Sequence, residues 1–139
     1  MRSVWKTLFI LAAMGVLLSG IAVVTGCNDS TDYETFNISM TSLDTYDPQA
    51  VTGHVGALIV WTNDDTDPHT VLRDPQNAVA IGPNSDAVLP NGIAPGESFS
   101  WLVPNVPSGT VFYYHCRFHG AAGDGSSVGT GMAGLIEVD

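Results

Sequence analysis

Lysine is almost missing from this chain, and cysteine and histidine are scarce. Four basic residues stand against 14 acidic ones, a formal charge of −10. Two of the four, Arg2 and Lys6, lie at the very start. From residue 27 onward only Arg73 and Arg117 oppose the 14 acids, so that part carries a charge near −12 and no lysine at all. A field this acidic argues against nucleic acid as a partner. It suits basic partners drawn in by electrostatic steering, and it equally suits simple solubility in a saline setting. No Ser-His-Asp grouping, phosphate-binding loop or purposeful carboxylate pair is present, and the chain is read as a protein that is not an enzyme. With two cysteines, Cys27 and Cys116, a disulfide is the default if the chain is exported.

The first residues have the form of an export signal. Arg2 and Lys6 precede an apolar run from Leu8 to about Val24, which ends in Val24-Thr25-Gly26-Cys27. A basic start, an apolar stretch and small residues before a cut site mark a secretory signal. A cut just before a cysteine resembles the lipobox of bacterial lipoproteins, in which that cysteine is lipidated and becomes the new N-terminus. The other reading is an uncleaved helix near the minimum length for spanning a bilayer. Either way the rest of the chain lies outside the cytoplasm and at a membrane, with residues 1–26 as signal peptide, 27–34 as an acidic tether after lipidated Cys27, and 35–139 as one domain. Lipidation of Cys27 leaves Cys116 alone, and a lone thiol in an oxidising compartment is a liability unless something uses it.

After the tether the pattern is of short strands bounded by Gly, Pro, Asn and Asp. The runs are Thr35 to Met40, Ala57 to Thr62, Ser98 to Val103, Thr110 to Cys116 and Gly134 to Val138. The stretch from Asp74 to Gly96 is weakly patterned and is expected to be surface loop, with a short helix or strand near Ala78 to Ile81. Many short strands separated by turns imply an all-β sandwich or barrel. Met40, Trp61 and Trp101 are assigned to its core and His54 to its surface.

Three features fall at strand ends: His69 in Pro68-His-Thr-Val71, the run Cys116-Arg-Phe-His119, and Met132 in Gly131-Met-Ala-Gly134. Two imidazoles, a thiolate and a weak thioether are the donor set of a blue-copper electron-transfer site. Such a set suits both Cu(I) and Cu(II), so little has to move when an electron leaves. Residues 35–139 resemble the plastocyanin and halocyanin branch of the cupredoxins. The likeness is carried by Tyr46-Asp-Pro48, by Gly56 to Trp61 followed by Asn63, Asp65 and Pro68-His-Thr-Val71, by Ala94-Pro-Gly96, and by Tyr113-Tyr-His-Cys116-Arg-Phe-His119-Gly120 with Gly131-Met-Ala-Gly134. It implies a Greek-key β-sandwich of the cupredoxin type and one type 1 copper on His69, Cys116, His119 and Met132. It also implies a one-electron carrier whose partners are redox proteins such as c-type cytochromes or membrane respiratory or photosynthetic complexes, with the edge of His119 as the electron port.

The sequence departs from the plastocyanin pattern in the twelve residues between His119 and Met132, where that family has only a few. This loop either returns Met132 to the metal or leaves the axial place to a carbonyl or water. His115 beside Cys116 is the arrangement by which multicopper oxidases and copper nitrite reductases bind a second copper, but that needs more histidines than the remaining His54. Neighbouring strand residues face opposite ways, so His115 is expected to point away from the metal and is a candidate point of electron entry. The alternative functions are a copper-holding or delivery protein for a membrane oxidase, and a small copper enzyme with an open site.

Overall fold

The computed structural model describes residues 33–139. The signal, the lipidation site Cys27 and most of the tether lie outside the described residues. Among the described residues, eight strands form two four-stranded sheets. The first sheet has the order β2-β1-β4-β6, with β1 Thr35–Thr41, β2 Thr45–Asp47, β4 Leu58–Asn63 and β6 Ser98–Leu102. The second has the order β3-β8-β7-β5, with β3 Ala50–Gly53, β8 Thr130–Val138, β7 Val111–Ala121 and β5 Leu72–Arg73. β1 runs parallel to β4 and β3 parallel to β8, and the other pairs are antiparallel. The all-β expectation holds. The expected short element near Ala78 to Ile81 does not: those residues are irregular, and the segment's one regular turn is a 3-10 helix at Ser85–Ala87. Ser85 is buried there, where its hydroxyl accepts the N–H of Val71 at 3.0 Å, a local bond that no apolar periodicity announces.

Alternation explains the packing, because every second residue of a strand faces the other sheet. Ile38 and Met40 of β1, Ile59 and Trp61 of β4, Phe112, Tyr114 and Cys116 of β7, and Met132, Ile136 and Val138 of β8 are buried and form one core. Trp61 is fully covered, while Trp101 packs partly exposed against the same cluster, edge-on to Phe112 with ring centroids 5.0 Å apart. Tyr114 is the centre of the aromatic packing, edge-on to Tyr46 at 4.9 Å and to Trp61 at 5.3 Å. Such pairings add about 0.5–1.5 kcal/mol each beyond their buried area. Gly134 is required beside this ring, since a Cβ there would come within 2.7 Å of the Tyr114 side chain and 2.8 Å of the Gln49 carbonyl.

Two strands are longer than their apolar runs imply. β7 continues past Cys116 to Ala121, and β8 starts at Thr130 rather than Gly134. Their ladder runs from Val111↔Glu137 to His115↔Ala133, breaks, and resumes at Gly120↔Gly131 and Ala121↔Thr130. Across the break, Cys116, Arg117, Phe118 and His119 on one strand oppose Met132 alone on the other. A bulge of this kind re-aims side chains where a regular ladder would point them apart.

Candidate metal centre

The first sheet delivers His69. β4 ends at Asn63, whose buried side chain does the work of a backbone turn. Its Nδ2 donates to the carbonyls of Asp67 and Ile93, each at 2.8 Å, and its Oδ1 accepts the N–H of Asp65 at 2.9 Å. The polar loop 64–68 is thereby folded back, and His69 pairs with Ile93 as an isolated bridge, N–H to carbonyl at 3.2 and 2.7 Å. Beyond it, β5 joins the second sheet through Leu72↔His115 and Arg73↔Tyr114. The chain between His69 and β5 therefore crosses from one sheet to the other directly over Cys116.

The second sheet delivers the rest from the bulge. His69 Nδ1 and His119 Nδ1 lie 3.1 Å apart, and the Sγ of Cys116 stands 3.9 Å from the first and 3.8 Å from the second. His69 and Cys116 are fully buried, and the side chain of His119 is 26% exposed. Two ring nitrogens this close cannot both keep a proton aimed at the other, and a shared cation satisfies both at once. The point equidistant from all three donors is about 2.1 Å from each, within the range of metal–nitrogen and metal–thiolate bonds, about 2.0–2.3 Å. The residues present thus fit a single ion of the kind that His2Cys sites hold. Met132 is fully buried in the same cluster as Cys116, on the core face of β8 with Ile136 and Val138. Its place on β8 faces the bulge that carries Cys116 and His119.

The sulfur is held from behind. The Thr70 N–H points at Sγ from 3.4 Å and the Thr70 hydroxyl from 3.7 Å, and that hydroxyl accepts the N–H of Arg117 at 2.9 Å. Tyr46 completes the chain by donating its hydroxyl to the Thr70 carbonyl at 2.5 Å, and burial raises its own ionisation well above the usual range. On the outside, Arg117 is paired with Asp86, donates to the Pro90 carbonyl at 2.8 Å and lies over the Phe118 ring. The imidazoles have carboxylates beside them. Asp65 Oδ2 is 3.1 Å from Nε2 of His69, and Asp44 Oδ1 is 3.4 Å from Nδ1 of His119. The N–H of Thr66, with the ring of His69 adding to it, holds the Asp65 carboxyl below its ordinary range.

His115 faces away from Cys116, but into cover. Its side chain is only 14% exposed, and its Nδ1 meets Asp74 Oδ1 at 2.6 Å. Asp74 is fully buried, and its second oxygen accepts the N–H of Gly123 at 2.6 Å. The long connection between His119 and Met132 is therefore mostly hairpin. Residues 122–129 fold back on the outer face of β7, where Tyr113 donates to the Ser126 carbonyl at 3.0 Å and Asp124 accepts the N–H groups of Ser126 and Ser127. Those bonds, that of the Ser126 N–H first, pull the Asp124 carboxyl down to about 2. His54 is half exposed beside Glu34, at 3.1 Å, away from the site. Sequence reasoning missed the roles of Asp44 and Asp74, since neither carries a spacing signal and each acts through contacts with distant strands.

No protein-family model matches the chain. It is similar to the chloroplastic plastocyanin of Tetradesmus obliquus, 32% identical over 80 residues that make up 56% of this chain and 52% of that protein. The match thus spans about half the length of that relative. Among solved structures, an oxidised variant of amicyanin overlays with a TM-score of 0.52 at 15% identity, covering 76% of this chain and 82% of that one. A Cu(I) form of another amicyanin variant overlays with a TM-score of 0.51 at 16% identity, covering 79% and 87%.

Thr70→Val tests how the sulfur is supported. It keeps the shape of the side chain and leaves the N–H of Arg117 without an acceptor, so urea unfolding should show a loss of about 1–3 kcal/mol. A variant as stable as the parent would mean that the hydroxyl holds nothing in place. The two mixed sheets, the bulge between β7 and β8 and these structural likenesses give the chain the cupredoxin-type β-sandwich fold.

Proposed function

We propose that this protein is a one-electron carrier built on a single type 1 copper, held by His69, Cys116 and His119 with Met132 as the weak axial donor. The observation that carries the reading is the convergence of the two Nδ1 atoms and the Sγ on one point, with His69 and Cys116 fully buried. Copper, when bound, supplies the Cu(II)/Cu(I) couple. The chain's own part is to keep its donors where they are in either state. The Asn63 bonds and the Ile93 bridge fix His69, the Thr70 donors fix the thiolate, and the Arg117 contacts brace the bulge. His119 alone of the three reaches the surface, beside exposed Phe118, and is the route by which an electron enters or leaves. A single thiolate, on a fully buried cysteine, favours a carrier over a copper-delivery protein, which needs donors open to exchange, and over an enzyme, which needs an open position for substrate. The likeness to a plastocyanin supports the same reading.

The partners that fit are basic redox proteins, such as c-type cytochromes, or membrane respiratory or photosynthetic complexes. A charge near −12 from residue 27 onward steers them in, an attraction that fades as salt shortens the screening length. The pattern at residues 1–27 supports export and a lipid anchor at Cys27, which would tether the carrier to the outer side of the cell membrane. Intact-mass measurement of the membrane-extracted chain should find the thioether-linked lipid on Cys27. An unmodified Cys27 in the mature protein would remove the anchor from the proposal.

Oxidised, copper-loaded protein should be intensely coloured by charge transfer from the Cys116 thiolate, and Cys116→Ser should abolish the colour while the far-ultraviolet circular dichroism is retained. Stoichiometric but colourless Cu(II) in the parent would sink the reading. At the axial place, Met132→Leu should keep both copper and colour and raise the midpoint potential, because a more apolar axis disfavours the more charged state. Met132→Gln should lower it, since an oxygen donor favours Cu(II). Three equal potentials would take Met132 off the metal.

A further inference from the structure

Deepening the copper-carrier reading, and resting on it, we infer that Asp65 is a positioning residue that biases the centre toward its oxidised state. It does so by accepting the Nε2 proton of His69 and by fixing a negative charge one imidazole ring from the metal. The argument starts from burial. His69 is fully covered, and its Nδ1 is turned toward Cys116 and His119, so its proton resides on Nε2 and needs an acceptor that is not water. Asp65 Oδ2 is there at 3.1 Å, on a side chain only 9% exposed. The other oxygen, Oδ1, is taken by the N–H of Thr66 at 2.6 Å, and the backbone N–H of Asp65 is held by Asn63 Oδ1 at 2.9 Å. Both ends of the carboxylate are thereby committed, and the group has no freedom to swing into solvent.

A backbone carbonyl would orient the ring as well as a carboxylate does. What the carboxylate adds is charge. The thiolate with Cu(II) leaves one net positive charge in the site, and with Cu(I) it leaves none. A fixed anion therefore attracts the oxidised form and is indifferent to the reduced one. A carboxylate behind a ligating histidine also makes that histidine a stronger base, which again favours Cu(II). Asp44 provides the internal comparison. It too lies against a site histidine, 3.4 Å from His119 Nδ1, but its side chain is 51% exposed. Water and salt screen it more than they screen Asp65.

The test uses the full chain loaded with copper. Asp65→Asn keeps an oxygen that can accept from Nε2 and removes the charge. At a fixed applied potential its Cu(I):Cu(II) ratio should rise about tenfold or more over the parent, the lower end of the 10–100-fold affinity losses seen when such partners are changed. The rise should persist in 1 M salt, where the screening length is about 3 Å. Asp44→Asn should give a smaller rise that disappears in the same salt. The Nε2 proton resonance of His69 in the Cu(I) protein, far downfield in the parent, should move upfield in Asp65→Asn. Asp65→Glu, which restores the charge, should bring the ratio back toward the parent. The inference is overturned if Asp65→Asn shifts the ratio no more than Asp44→Asn, if salt erases its shift, or if the Nε2 resonance does not move. A parent chain that forms no coloured copper centre would overturn the function itself, a result distinguishable because it appears before any Asp65 variant is compared.

Discussion

A cysteine sulfur with no access to water, facing two ring nitrogens that crowd one another, is the constraint on which the rest of the molecule depends. Buried polar atoms must find partners, and here three of them point at a shared space instead of at separate ones. Everything around them reads as a way to make that arrangement tolerable. Thr70 supplies two donors to the sulfur from the segment that crosses between the sheets. Tyr46, on the far edge strand of the other sheet, ties down the carbonyl of that same residue. The two sheets are therefore joined at the site by hydrogen bonds as well as by apolar packing, and neither can slide without disturbing the donors.

How much of this was legible beforehand depends on the kind of interaction. The strands at 35 and 98 announce themselves because Phe36, Ile38 and Met40, and then Phe99 and Trp101, alternate with polar neighbours, the direct trace of a two-faced sheet, while those at 58 and 111 show as short apolar or aromatic runs bounded by turn residues. The donors His69, Cys116 and His119 are legible for a different reason: few residue types bind a soft metal, and this chain has few of them. The strands β2, β3 and β5 are too short to show a period and exist because a longer neighbour offers a ladder edge. Asp74 and Asp44 are invisible for a similar reason, and Asp65 shows only as part of the family likeness. Among 14 acids, nothing local separates the one that meets a buried imidazole from those that only keep the surface wet.

The charge distribution has a second aspect. Of the two cations that the chain keeps beyond residue 26, Arg117 sits within the bulge between Cys116 and His119, paired with Asp86 and bonded to Pro90. The other, Arg73, bonds the Val79 carbonyl beneath the irregular loop. Neither is free to offset the acidic field in the way a scattered lysine would. The positive charge serves as internal bracing for loops, and the outward face is left to the carboxylates and, beside His119, to exposed Phe118.

The ladder between β7 and β8 closes again beyond the bulge, at Gly120↔Gly131 and Ala121↔Thr130. Those two rungs act as a clasp. Gly131, with a φ of 67°, turns in the left-handed region, and a Cβ on either glycine would run into the opposite strand's backbone, so the clasp is backbone against backbone. Whatever chain lies past it hangs from a fixed seam, with its own attachments to Asp74 and Tyr113. The spacing between a metal-binding histidine and the next donor therefore ceases to be a measure of reach. Sequence length can grow or shrink in this connection as it does in any surface turn, while the distance that matters is set two rungs earlier.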